Sequence, residues 1–279
     1  MSASTTSTRS LELSLPEPFD FELSTERYRA FGPDLANLWR DRALHRVLDG
    51  REVRIEPSPA GVRIEPGEAE LADEVRRYLG IEFDLDGFRA FAAAEPVLAP
   101  IAERLRGLRP PIAPDAWETL VTSITAQQVS LRAAFAIRNR LIEAFGEQHD
   151  HAYAFPRRER LSLADPDEIF ALGFSRRKAE YVVALARSEI DLDALRLLDD
   201  AKVKERLVAL PGIGEWTADW FLARHLARPR AWPAGDLGLR KAVAAFFPDV
   251  DDVRAFGERF DPFQNLTAHY LLTALRVLA

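Results

Sequence analysis

The sequence predicts an α+β protein: a small antiparallel α+β domain followed by an all-α bundle. Three observations predict it. Between about residues 15 and 68, apolar and charged positions alternate between turns. From about residue 86 onward, apolar residues recur every three or four positions. Within that helical part, Leu210-Pro211-Gly212-Ile213-Gly214 sets a two-glycine turn between two helical stretches.

In the first part, Val47, Val53, Ile55, Val62 and Ile64 alternate with charges, and Asp49-Gly50 and Ala60-Gly61 separate the runs as hairpin turns do. A helix follows, with Leu71, Val75, Tyr78 and Leu79 on one face and Gly80 at its end. The helical part reads as stretches over 85–105, 116–146, 166–174, 175–189 and 203–212. Asp115, Asp165-Pro166 and Ser175 open three of these as caps, and Gly146, Gly173 and Gly212 close others. The polar start, MSASTTSTRS, has no apolar core and reads as a disordered leader, not a secretory signal. The expected organisation is a leader over 1–12, an α+β domain over 13–88, and two helical subdomains over 89–279 with a cleft between them.

Composition narrows the chemistry. The chain of 279 residues contains no cysteine, which excludes disulfides, a thiolate nucleophile, thiolate zinc sites and an iron–sulfur cluster held by cysteines. No apolar run reaches membrane-spanning length, so a cytoplasmic protein is expected. His149 and His151 flank Asp150 and read as a polar turn rather than a metal site. The net charge of −7 counts against a polyanionic partner. Locally the balance reverses: between Lys202 and Lys241 stand Lys202, Lys204, Arg206, Arg224, Arg228, Arg230, Arg240 and Lys241, against Glu205, Glu215, Asp219 and Asp236.

The stretch from Val203 to Lys241 carries the chemistry. Pro211 ends one helix, and the glycines strip side chains from the turn, so backbone N–H groups at the next helix can approach a phosphate. Some twenty residues on, Trp232-Pro233-Ala234-Gly235-Asp236 delivers one carboxylate to the start of another helix. Taken by itself, Asp236 reads first as an N-cap.

Together the turn and the aspartate resemble the signature of the helix-hairpin-helix DNA glycosylase superfamily, and within it the bacterial 3-methyladenine DNA glycosylase II group. LPGIGEWTADWF resembles that group's hairpin. Ile124-Thr125-Ala126-Gln127-Gln128-Val129-Ser130, LGFSRRKAEYVVALA and PFQNLTAHYLL resemble its flanking segments, and LPEPFDFELS resembles the start of its small leading domain. The likeness spans nearly the whole chain, in order, with Ala126 and Gln128 as departures.

The resemblance implies a monofunctional glycosylase that hydrolyses the N-glycosidic bond of alkylated purines flipped out of damaged double-stranded DNA. It implies that Asp236 is the catalytic carboxylate, stabilising positive charge on the deoxyribose or activating water. Trp216 stands where lyase-competent relatives carry a Schiff-base lysine, so strand cleavage is not expected. Trp216, Trp220 and Phe263 are the expected base pocket, with Gln127, Gln128, Gly212, Ile213, Gly214 and Thr217 toward DNA. The carbonyls of Val208, Leu210 and Ile213 are implied to hold a monovalent cation; no other cofactor is expected, and a monomer is. Two alternatives stay open: the same fold acting on deaminated or oxidised bases, and a non-catalytic DNA-binding protein that uses the hairpin alone.

Overall fold

The protein, described over residues 9–278 in a computed structural model, builds its first part on a five-stranded antiparallel sheet of order β1-β5-β4-β3-β2. The strands are β1 (Leu11–Ser14), β2 (Leu38–Arg40), β3 (Ala43–Leu48), β4 (Arg51–Ser58) and β5 (Gly61–Glu65). Asp49 and Gly50 both take positive φ, 46° and 70°, the two-residue turn whose twist matches the flanking strands. The central pairing sets Leu44 opposite Ile55 and Ile55 opposite Ile64. These side chains, with Val53 and Val62, are fully enclosed. A short helix α1 (Phe21–Ser24) and the amphipathic α2 (Ala69–Tyr78) cover that face through Phe21, Leu71, Val75 and Tyr78. Each such side chain contributes roughly 1.5–3 kcal/mol of burial free energy.

The helical part comprises α3 (Leu85–Ala93), α4 (Leu98–Arg104), α5 (Ala116–Ala126), α6 (Leu131–Phe145), α7 (Arg158–Ser162), α8 (Pro166–Ala171), α9 (Arg176–Arg187), α10 (Asp200–Val208), α11 (Glu215–Arg224), α12 (Leu237–Phe246), α13 (Val253–Phe256) and α14 (Gln264–Val277). A two-stranded ribbon, β6 (Glu147–Gln148) with β7 (Tyr153–Ala154), sits between α6 and α7. The expected caps are present: Asp115 accepts the N–H of Glu118 at 2.5 Å, Ser175 that of Lys178 at 3.3 Å, and Asp165 with Glu168 forms a capping box.

Several expectations need correction. Residues 1–8 of the expected leader lie outside the described residues, but its end is ordered: Leu11 and Glu12 pair with Ile64 and Arg63 in β1. The two apolar cores divide between Leu79 and Phe83, so α3 belongs with the helices rather than with a domain ending at 88. The helices share one continuous core. The 85–105 stretch breaks around Pro96, whose ring cannot continue a helix. The 116–146 stretch breaks at Gln127–Ser130, where Gln128 takes a left-handed φ of 54° and Ser130 caps a new helix.

Four buried charges brace the two parts together. Glu118 on α5 accepts Arg46 of β3 at 2.6 Å and Arg138 of α6 at 2.6 Å. Arg138 also pairs with Asp34, and Arg46 donates to the Asn37 side-chain oxygen Oδ1 at 2.6 Å. Burial pushes the Glu118 carboxyl up, but the Arg46 and Arg138 guanidiniums outweigh that and hold it below its ordinary value.

Candidate active site

The hairpin forms because α10 cannot pass Pro211 and Gly212 turns back with a φ of +78°. A Cβ at Gly212 would stand 2.3 Å from the Tyr181 ring, so only glycine permits this seat against α9. Gly214, unlike Gly212, is not left-handed: its φ is −107°, and it serves as the N-cap of α11, with open space where a Cβ would be. Ile213 is buried and locks the turn to the core. Lys204 and the buried Asp219, 2.5 Å apart, tie α10 to α11.

A cavity of about 1020 Å3 opens where α1, α2, α5, α6, α11, α12 and α14 converge. Such a volume suits a small ligand with room to spare. Asp236 lies on its wall, half-buried, where it caps a helix and also faces the cavity. As N-cap of α12 its Oδ2 accepts the Leu239 N–H at 2.9 Å. Its Oδ1 accepts the indole N–H groups of Trp216 at 2.9 Å and Trp220 at 3.0 Å. A carboxylate offers about four lone-pair directions. Three are taken, which locks the group and leaves capacity for one contact from the cavity.

Trp216 and Trp220 stand one helical turn apart on α11, which is why both reach one oxygen. Trp216, Trp220, Gln127, Gln128, Gly214 and Thr217 all line the cavity. Phe263 does not. It packs against Phe88 and Phe91, at ring separations of 6.0 and 5.4 Å, because the turn before α14 aims it into the helical core. Gln127 turns inward, donating to the Gly212 carbonyl at 2.8 Å, with Thr217 Oγ1 at 3.5 Å. It therefore braces the hairpin. Gln128 is exposed at the strained turn.

Other cavity residues carried no sequence signal. The Arg224 guanidinium lies 3.7 Å from the Trp220 ring centre, and its enclosed Nε has no partner among the described residues. His269 on α14 is buried beside Trp220, its Nε2 likewise unpartnered. Burial, reinforced by the Arg224 charge, holds this imidazole well below its ordinary pKa, so it is neutral. Arg276 joins α14 to Glu26 at 2.9 Å. The cavity wall carries Arg27, Arg46, Arg138, Arg224, Lys241 and Arg276 against Glu26, Asp34, Glu118 and Asp236, reversing the sign of the whole chain. Val129, Leu131 and Leu237 line it too, at 39%, 46% and 65% exposure, giving the cavity an apolar rim.

Near the hairpin, Lys178 is occupied: its Nζ caps the end of α5 through the carbonyls of Thr125, at 2.9 Å, and Gln127. The Leu210 carbonyl accepts the Ile213 N–H at 3.2 Å, and the carbonyls of Val208 and Ile213 have no backbone partner among the described residues. Free carbonyl oxygens on a tight turn are the donor type a hard cation takes, so this backbone fits one.

An N-terminal sheet braced to a helical bundle, a glycine hairpin and a carboxylate on a cavity wall define a helix-hairpin-helix nucleic-acid enzyme. Residues 121–252 match the model for the "HhH-GPD superfamily base excision DNA repair protein", and the chain belongs to that superfamily. It is 28% identical over 227 residues to a DNA-3-methyladenine glycosylase of Bacillus subtilis, covering 75% of each protein. It is 32% identical over 286 residues to a probable bifunctional transcriptional activator/DNA repair enzyme AlkA of Mycobacterium tuberculosis, covering 96% of this chain and 57% of that longer protein. The solved 3-methyladenine DNA-glycosylase from Archaeoglobus fulgidus superposes with a TM-score of 0.84 at 26% identity, over 97% of this chain and 99% of that one.

Proposed function

We propose that this protein excises alkylated purines of the 3-methyladenine and 7-methylguanine type from duplex DNA, hydrolysing the N-glycosidic bond and leaving an abasic site. One observation carries the reading: Asp236 sits on the cavity wall with Oδ1 held by two indole N–H groups and Oδ2 by a helix N-terminus. A carboxylate fixed this way needs no reorganisation when positive charge develops on the sugar. The glycosylases of Bacillus subtilis and Archaeoglobus fulgidus named above support the substrate class.

In this account the hairpin N–H groups grip a backbone phosphate, and the damaged nucleotide swings into the cavity. The exposed Gln128, Val129 and Leu131 enter the gap it leaves. Asp236 faces C1′ of the sugar and stabilises its oxocarbenium character while water attacks. An alkylated purine is already cationic and departs without a strong general acid. Trp216 cannot form an imine, so the strand stays intact. Val208, Leu210 and Ile213 would hold a monovalent cation through their carbonyls, placing positive charge beside the phosphate. The protein acts as a single copy.

The test is duplex DNA bearing each lesion, followed by separate readings of free base and of strand length. Released base with an uncut strand is the expected result. Strand cut without added alkali would overturn monofunctionality. Release confined to deaminated or oxidised bases would move the substrate class, and release from no lesion would favour a DNA-binding protein without catalysis.

A further inference from the structure

Away from the cavity, the sheet meets the β6–β7 ribbon through three side chains drawn from distant parts of the chain. His45 on β3 and Glu52 on β4 are diagonal neighbours on one face of the sheet, because His45 pairs with Arg54 and Val47 with Glu52. His151 comes from the turn between β6 and β7. The Nδ1 atoms of His45 and His151 lie 2.8 and 3.1 Å from the same oxygen, Glu52 Oε1, and all three donor atoms fall within 4.8 Å of one another. The imidazole rings stand 4.7 Å apart.

We propose that His45, Glu52 and His151 form a metal site that takes a borderline divalent ion, zinc first, and staples the sheet to the helical part. Atoms bound to one ion at about 2.0–2.2 Å, at tetrahedral to right angles, stand roughly 3.0–3.4 Å apart. The His151 separation of 3.1 Å falls within that spacing and the His45 separation of 2.8 Å just below it, so small movements would seat an ion. Two imidazoles and a carboxylate suit zinc and its neighbours, not calcium or magnesium.

The carboxylate is also oriented as metal-binding carboxylates are. Its other oxygen, Oε2, accepts the backbone N–H groups of His151 at 2.8 Å and Ala152 at 3.1 Å, which turns Oε1 toward the two rings. His45 is enclosed, whereas the His151 side chain is 40% exposed, which leaves an entry path and a coordination position for water. Without an ion, the two ring nitrogens share one carboxylate oxygen. With one, each ring nitrogen gains a ligand bond, and residues about a hundred positions apart are joined.

The experiment uses the full chain, stripped with chelator and dialysed, titrated with zinc chloride by calorimetry and melted with and without zinc. One equivalent should bind, and the melting temperature should rise with zinc, since an ion held by the folded state alone stabilises it by mass action. His151→Ala and Glu52→Gln should each weaken zinc binding at least tenfold and abolish the melting shift. Cobalt(II) should give visible d–d absorption that His151→Ala removes. Absence of stoichiometric binding overturns the proposal. Equal binding by wild type and His151→Ala also overturns it, identifying adventitious uptake by surface carboxylates. His151 is exposed, so its variant folds and keeps the test decisive if Glu52→Gln does not.

Discussion

Replacing Glu118 with Gln tests how the two parts are held together. The substitution keeps shape but removes the one charge that Arg46 and Arg138 share, each of them nearly inaccessible at 4% and 3% exposure. The amide oxygen can accept one guanidinium; the amide N–H groups then face the donors of the other. Asp34 still answers Arg138, and Arg46 keeps only the Asn37 oxygen. Leaving a buried charge without its counter-ion costs about 3–5 kcal/mol. At about 2–4 °C per kcal/mol for a chain of this size class, the melting temperature should fall roughly 6–20 °C. Circular dichroism melts at neutral pH measure it. Adding Arg138→Met should cost less than the sum of the two single changes, because the pair couples. A Glu118→Gln variant melting within about 2 °C of wild type would refute the brace.

Four further outcomes follow from the same geometry. Gly212→Ala forces a side chain into left-handed backbone and against Tyr181, so we expect about 2–5 kcal/mol of lost stability from strain plus overpacking, read by denaturant melts. Trp216→Phe keeps the ring and removes one N–H from Asp236, and base release should slow roughly 10- to 100-fold, the worth of a hydrogen bond to a charged group. Burial lowers His225 from 6.5 to about 4, so it is neutral when folded, and its contribution is complete above pH 6.5. That stability, about 3 kcal/mol at most, is lost as pH falls from 6.5 to about 4; His225→Asn should flatten the stability profile over that window. Glu118 adds loss at lower pH: its depressed pKa gives stability that is present above 4.5 and disappears as pH falls through the folded value.

The parts legible in the sequence were those written in short-range pattern. The β3–β4 turn follows from Asp49-Gly50, the caps from Asp115, Asp165 and Ser175, and the hairpin from Pro211-Gly212. Asp236 was legible as a residue with two readings, and the structure shows they are compatible, because capping uses Oδ2 and leaves Oδ1 to the indoles. Long-range arrangement was not legible. Phe263 shares its segment with cavity residues, yet the turn before α14 sends it into the core. Arg224, His269 and Arg276 meet at the cavity only through packing of α11 against α14, and nothing in their spacing marks it. The same holds for His45, Glu52 and His151, whose convergence depends on sheet register and on where the ribbon docks. β1 escaped notice because its alternation is short and runs out of a polar leader.

The most direct test of the account is single-turnover release of 3-methyladenine from duplex DNA by wild type and Asp236→Asn at equal DNA occupancy. Asn retains one oxygen, enough for the two indole N–H groups or for the Leu239 N–H but not both, so one capping bond worth about 1 kcal/mol is lost; fold and DNA binding should survive that while the charge is lost. Affinity for lesion DNA should be unchanged and release slowed by at least roughly 100-fold, the scale of removing one preorganised electrostatic contact. Release by Asp236→Asn within about threefold of wild type would contradict it and move the catalytic group elsewhere on the cavity wall.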